Sequence, residues 1–278
     1  MIKILILGSN GMLGFACANF FSKTPDFDCY TCSRKSMNAN SDKHFVIQDP
    51  LQDIPILLRS KKFDFIVNCI GDTFKGELGE RQSLSMLQIN SRLPRLLASC
   101  VEGIETRSIH ISTDCVFSGQ TGSYTEKDLP DPVDLYGMSK LLGECWNANF
   151  KTIRTSIVGP ELDKKNRGLF NWFLSQRGKV NGYKNAYFSG ITTWELARQI
   201  KQLIVGEWYD VPNLAHIFGP RISKYDLLTK FKRCYNVECE LVPYENPFID
   251  RSLLSVYRPQ VSKTWEEMLS EQKKYVVV

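Results

Sequence analysis

Tyr136-Gly137-Met138-Ser139-Lys140 sets a phenol and an amine four positions apart. The run Leu135–Ala148 has helical apolar spacing through Leu141, Leu142, Cys145 and Trp146, and Asp131, Pro132 and Asp134 mark a loop before it. Residues four apart share one face of a helix, so Tyr136 and Lys140 should point the same way. A free tyrosine titrates near pH ~10, too high for acid–base work at neutrality. An ammonium beside it favours the phenolate and lowers that value towards a useful range. Tyr-x-x-x-Lys also arises by chance on helix surfaces, so the pair needs a cofactor site built around it.

The start of the chain offers such a site. Lys3–Leu7 is an apolar strand-like run, Gly8-Ser9-Asn10-Gly11-Met12-Leu13-Gly14 follows, and a helical stretch continues to about Phe21. Strand, glycine turn and helix in that order form the context of a dinucleotide-binding turn. Gly8 permits the tight turn, Gly11 lets backbone approach a pyrophosphate, and Gly14 lets helix pack on strand. The helix N-terminus then presents free N–H groups to phosphate. A plain glycine-rich turn is the alternative. After the next strand, Asp28–Ser33, Arg34 stands 20 residues beyond Gly14 with no carboxylate beside it. An acid there suits a ribose hydroxyl and an arginine a 2′-phosphate, which favours NADP with NAD as the alternative.

The remaining pattern supplies the sheet. His44–Asp49 reads as a third strand, with Asp49 either at the adenine edge or capping a turn. Phe63–Ile70 is a fourth, ending Asn68-Cys69-Ile70-Gly71, and a long helical segment from about Glu80 to Val101 carries the polar Asn90 amid Leu87, Ile89 and Leu93. Arg107–Val116 is a fifth, ending in Ser112-Thr113-Asp114, with His110 in mid-strand read as a core histidine; Thr152–Val158 is a sixth. This alternation predicts an α/β chain with a Rossmann-type doubly wound parallel sheet, whose ligands lie beyond the carboxyl ends of the strands. The pattern changes after Gly159-Pro160. Residues 1–160 are expected to form the NADP-binding domain, with 187–218 returning to it. Residues 161–186 and 219–278 are expected to form a smaller, C-terminal substrate-binding lobe with a loosely held tail from Glu271.

A net charge of +5 over 278 residues, without a long Lys/Arg run, argues against nucleic acid and leaves anionic small molecules open. No stretch reaches the ~20 apolar residues of a membrane span, and Met1 leads straight into the first strand, so the cytoplasm is the expected location. Nine scattered cysteines suggest reduced thiols. Cys29-Tyr30-Thr31-Cys32 fits a buried strand better than a zinc site, because no second ligand pair lies near in sequence. No metal is expected.

Taken together, Gly8-x-x-Gly11-x-x-Gly14, Ser112-Thr113-Asp114-Cys115-Val116-Phe117-Ser118-Gly119, Tyr124-Thr125-Glu126 and Tyr136-Gly137-Met138-Ser139-Lys140 resemble the extended short-chain dehydrogenase/reductases, and among them the dTDP-4-dehydrorhamnose reductase family. The resemblance is clear over roughly residues 1–160. It implies NADPH-dependent reduction of the 4-keto group of a nucleotide-diphosphate deoxysugar. By the same resemblance Tyr136 would protonate the nascent alkoxide, Lys140 would hold the nicotinamide ribose, and Thr113 would hydrogen-bond the ketone oxygen. Cofactor contacts are expected from Gly8, Ser9, Asn10, Gly11, Met12, Leu13, Arg34, Asp49, Cys69, Ile70, Gly71, Asn90, Tyr136 and Lys140, and substrate contacts from Thr113, Asp114, Cys115 and Arg251. Two departures stand out. Cys115 takes a place where the family more often has tyrosine, and Asp250-Arg251-Ser252-Leu253 is the nearest match to its Arg-Pro pair. An epimerase of the same superfamily and a non-catalytic NADP-binding regulatory subunit remain alternatives, and a homodimer is among the compatible states.

Overall fold

The computed structural model describes residues 1–35, 42–73, 79–162 and 168–275. Apolar β1 (Ile2–Leu7) turns through its glycines into α1 (Met12–Ser22), followed by β2 (Phe27–Ser33), β3 (His44–Val46) and α2 (Pro50–Ser60). Then β4 (Phe65–Asn68) precedes one long helix made of α3 (Glu80–Leu87), a π turn (Gln88–Arg92) and α4 (Leu93–Val101). A 3₁₀ turn (Asp114–Val116) follows β5 (Arg107–Ile111), and α5 (Leu135–Gly143) leads to β6 (Phe150–Arg154).

The second half brings β7 (Ile157–Val158), α6 (Leu169–Leu174), β8 (Gly178–Tyr183), β9 (Ala186–Phe188), β10 (Ile191–Thr192) and α7 (Thr193–Gln202). After a second π turn (Leu203–Glu207) come β11 (Leu214–His216), β12 (Ile222–Ser223), α8 (Lys224–Tyr235), β13 (Cys239–Tyr244), β14 (Ile249–Arg251) and α9 (Trp265–Tyr275). Seven strands, all parallel, form the main sheet in the order β3-β2-β1-β4-β5-β6-β11. The order reverses between β1 and β4, the switch point at which such sheets open a crevice.

The sheet is buried on both faces, which is why its strands read as continuous apolar runs. One face carries Ile4, Ile6, Phe65, Val67 and Ile109 into a core shared with α1, α7, α8 and α9; the other carries Leu5, Leu7 and Ile66 against Leu93 and Leu97. The first core runs without a break into the later elements, where Phe170, Phe173, Phe188, Phe231 and Trp265 pack, so the smaller sheets β8–β13 and β12–β9–β14 grow out of the main body. Cys29 packs with the first core and Cys32 with the second, on opposite sides of β2, as an odd spacing on a strand requires. No helix among the described residues is long and apolar enough to cross a membrane.

Several boundaries differ from expectation. Strand five stops at Ile111, because Thr113 turns to cap the 3₁₀ turn by accepting from the Cys115 N–H at 3.1 Å. Strand six splits into β6 and β7, and β11 adds a seventh strand. The tail is held as far as Tyr275, with Gln272 wholly buried and Tyr275 stacked on Trp194 at 4.0 Å; residues 276–278 lie outside the described residues. Helix α5 ends at Gly143 instead of near Ala148, since Glu144 turns inward to meet Arg154. Both side chains of that pair are nearly inaccessible, at 2% and 3% exposed, and the guanidinium donates two bonds of 2.8 and 2.7 Å. Ser112 Oγ donates to the same carboxylate at 2.7 Å, which fixes the end of α5 to β5 and β6.

Breaking such a pair strands a charge in the interior. Arg154→Met is expected to cost about 3–5 kcal/mol in urea unfolding, with much of the loss recovered in Arg154→Met/Glu144→Leu. A single variant as stable as the parent would contradict the clasp.

Candidate active site

The switch point brings the glycine turn and the end of β4 together. Gly8 has φ +79°, a conformation suited to glycine, and a Cβ there would sit 3.0 Å from Ile70 Cγ1 and 3.1 Å from the Ile70 nitrogen. Gly8 and Ser9 donate their N–H groups to the Cys32 carbonyl at 2.9 and 3.0 Å, and Gly11 donates to the Gly8 carbonyl at 2.9 Å. A Cβ on Gly14 would fall 2.0 Å from that same Gly8 oxygen, so no other residue lets α1 pack this close to the turn. No side chain caps α1 at Gly11. Its first-turn amides are therefore the feature that suits a diphosphate.

Around this turn Asn10 Nδ2 donates to the Lys35 carbonyl at 2.8 Å, Ser9 Oγ donates to Cys32, and Arg34 is exposed just beyond β2. Two residues expected against the cofactor have other employment. Asp49 caps α2, accepting from the Leu51 N–H and the Gln52 amide, both at 2.9 Å. Asn90, in the first π turn, is wholly buried; it accepts from the Asp72 N–H at 2.8 Å and donates to the Asp72 carbonyl at 2.8 Å and to Ser139 Oγ at 3.0 Å.

The Tyr136 segment is placed by contacts of its backbone. Asp134 caps α5 by accepting from the Gly137 N–H at 2.7 Å. A Cβ on Gly137 would lie 2.2 Å from the Cys115 carbonyl oxygen, and one on Gly143 only 1.9 Å from that of Asn90. The two glycines let α5 press against the 3₁₀ turn on one side and the π turn on the other. Asn90 passes its bond through Ser139 Oγ, which donates to the Tyr136 carbonyl at 2.8 Å. The phenol of Tyr136, half-buried, lies close enough to the Thr113 hydroxyl to feel it, and that hydroxyl donates to Asp114 Oδ1 at 3.1 Å.

The electrostatics correct one expectation. Lys140 does not lower the Tyr136 phenol: burial pushes it up, the neighbouring Cys115 adds to the rise, and the nearby Thr113 hydroxyl only partly offsets them. The reason is where the lysine goes. Its Nζ donates to the Ile111 carbonyl at 2.6 Å and faces His110 Nε2 at 3.5 Å. Burial pulls Lys140 itself down to about 8, against opposing pulls from Glu144 and Cys69. Phenol and amine thus have their proton affinities driven apart by one cause, loss of water.

Four residues face one another beyond Thr113. Asp114 is buried and its carboxyl is raised by desolvation, an effect opposed by Lys224 and Arg251. Burial pushes the Cys115 thiol to about 12. Arg251 donates to the Phe117 carbonyl at 3.0 Å and reaches Cys115 Sγ at 3.5 Å, so the residue singled out from the lost Arg-Pro pair does come to this place. Lys224, at the start of α8 over the Phe188 ring, was not foreseen; no spacing ties position 224 to position 114. His110 and Asn68 also escaped a role. The first was read only as a core residue, yet both its nitrogens meet polar partners.

Comparison with known proteins places this geometry in a family. Residues 2–217 match the family described as RmlD substrate binding domain. Methionine adenosyltransferase 2 subunit beta of Danio rerio is 32% identical over 51% of this chain and 42% of its own length, so the chain spans less than half of that relative. dTDP-4-dehydrorhamnose reductase of Aggregatibacter actinomycetemcomitans is 29% identical over 81% of this chain and 76% of its own. The structure of dTDP-4-dehydrorhamnose reductase from Bacillus anthracis, in complex with NADP, shares the fold with a TM-score of 0.79 at 20% identity, covering 99% of this chain and 100% of that one. With its glycine turn, its Thr113–Tyr136 contact and this match over most of its length, the chain belongs to the RmlD substrate binding domain family, the dTDP-4-dehydrorhamnose reductase-like branch of the Rossmann-fold oxidoreductases.

Proposed function

We propose that the protein reduces the 4-keto group of a nucleotide-activated deoxysugar with NADPH. The observation that carries this reading is the placing of the Tyr136 phenol beside Thr113, on the same sheet rim as an uncapped helix N-terminus behind a glycine turn. A relative of the chain is named dTDP-4-dehydrorhamnose reductase, and a structure of that name holds NADP. The uncapped first turn of α1, and Gly8, Gly11 and Gly14 with no Cβ to obstruct approach, fit a dinucleotide diphosphate. Arg34 stands where a 2′-phosphate would lie. When bound, the cofactor supplies the hydride.

The chain's own groups do the rest. Thr113 and Tyr136 converge on one oxygen, the arrangement that stabilises negative charge developing on a ketone. Tyr136, held protonated by burial, gives its proton to that oxygen. Lys140, on the same helix, is the buried cation that would hold the nicotinamide ribose when the cofactor is bound. Arg251 and Lys224, both acting on Asp114, offer positive charge to the substrate diphosphate.

A second reading rests on the identity to methionine adenosyltransferase 2 subunit beta: the chain serves as a non-catalytic subunit that binds NADP. Co-elution with a methionine adenosyltransferase catalytic subunit, and no turnover of any keto-sugar, would favour it.

Incubation with NADPH and dTDP-, UDP-, GDP- and CDP-4-keto-6-deoxysugars, followed by the absorbance of reduced nicotinamide, should give turnover with one of the four. Tyr136→Phe should then lower kcat by about 10²-fold or more in a protein that still folds; an unchanged rate sinks the assignment. Lys140 keeps its charge below about 8, so turnover should fall as pH rises through that value. In Lys140→Arg the guanidinium stays charged and the fall should vanish, whatever its maximal rate; a parent rate still climbing well past that pH contradicts a need for the charged amine. Arg34→Glu should cut kcat/KM for NADPH by roughly 10-fold or more, the scale of one hydrogen bond to a charged group, and spare NADH.

A further inference from the structure

Lys140 shares its burial with a histidine whose hydrogen bonds leave it one tautomer. Asn68 Oδ1 accepts from the Ile70 N–H at 3.1 Å, which orients the Asn68 amide so that Nδ2 points at His110 Nδ1, 3.1 Å away. An amide nitrogen only donates, so His110 Nδ1 must accept and the ring proton must sit on Nε2. That Nε2–H faces Lys140 Nζ at 3.5 Å, while Nζ donates to the Ile111 carbonyl. Towards an ammonium this is donor against donor. Towards a neutral amine it is a complete set, one proton given to Ile111 and one received from His110. His110 cannot escape by taking up a second proton, since it is wholly buried and both burial and Lys140 hold it well below its ordinary value.

We propose that His110 is a positioning residue for Lys140: pinned by Asn68 with its proton on Nε2, it presents a donor to the lysine nitrogen, favours the neutral amine, and so sets the pH at which Lys140 changes charge. The other groups acting on the lysine are Glu144, beyond the end of its own helix, and the Cys69 thiol after β4, and both favour the charged form. Burial opposes them, and His110 Nε2, at 3.5 Å, is the donor set against the lysine nitrogen in that buried place. The catalytic use of Lys140 rests on the proposed ketoreductase reading; the His110–Lys140 coupling does not, because it is a property of the cofactor-free chain.

The test is a ¹³C NMR titration of ε-labelled lysine in the folded, cofactor-free protein, with the Lys140 signal assigned by its loss in Lys140→Arg. In His110→Gln the side-chain carbonyl can turn to accept from the ammonium, and the Lys140 midpoint should rise by roughly one pH unit, the scale of exchanging a donor for an acceptor. Asn68→Ala releases the tautomer without touching the histidine and should move the midpoint in the same direction. It decides the matter alone if His110→Gln does not fold. Where the variants turn over substrate, the alkaline fall in kcat should move with the midpoint, whereas a purely structural role lowers stability and leaves the midpoint still. Lys140 midpoints equal to the parent's in the folded variants overturn the proposal. A failed sugar panel with a shifted midpoint overturns the ketoreductase reading alone.

Discussion

The site depends on how closely one helix approaches two stretches of backbone. Helix α5 runs between the 3₁₀ turn after β5 and the π turn within the long helix, and it fits only because positions 137 and 143 carry no side chain. Any larger residue would collide with a carbonyl oxygen, which cannot swing aside as a flexible side chain can. This approach delivers Tyr136 to Thr113 and buries Lys140 against β5. The π turn has its own part, since the extra residue in that turn carries Asn90, whose amide holds Asp72 and Ser139 at once. Loops alone would leave these side chains free to wander; here each is tied to an element packed in the core.

Burial then does what charge pairing was expected to do. A half-buried phenol holds its proton more tightly and a buried amine holds it less, so one packing event shifts the two in opposite directions. The lysine charge goes to a backbone carbonyl and a neutral imidazole, and the tyrosine is governed by Thr113 and Cys115. The general lesson concerns distance along the chain: sharing a helix face makes two side chains neighbours, but the partners supplied by other strands decide which of them interact.

Much of this was legible from residue types, and the failures share a cause. The strand–glycine–helix opening, the order of strands and the Tyr136–Lys140 spacing are local patterns, and local patterns survive in sequence. The end of α5 was not legible, because what stops the helix at Gly143 is the pull on Glu144 of Arg154, ten residues beyond it and on a strand. Asp49 takes the local capping role that the sequence left open beside the adenine edge, whereas Asn90 satisfies backbone groups of Asp72 that only the folded chain brings near. His110 was correctly placed in the core. Its contact with Lys140 could not be foreseen, since it depends on a neighbouring strand choosing the tautomer.

The later segments matter to the site through Tyr124-Thr125-Glu126, a part of the family pattern that acts here as a clasp. Glu126 accepts from the His216 N–H at 2.8 Å, from Ser255 Oγ at 2.5 Å and from the Val256 N–H at 3.1 Å, while Tyr124 exchanges backbone bonds with Ser252 and Leu254. Tyr124 stacks on Phe117 at 4.3 Å and receives the Gly119 and Thr121 amides. The strip 250–256 is thereby laid along the loop after the 3₁₀ turn, and Arg251 is carried to Cys115 with no proline to stiffen it. There the Arg251 guanidinium meets the Cys115 thiol at 3.5 Å. The two departures from the family pattern therefore meet at one contact, and the segment that carries the arginine is held by the clasp rather than stiffened by a proline.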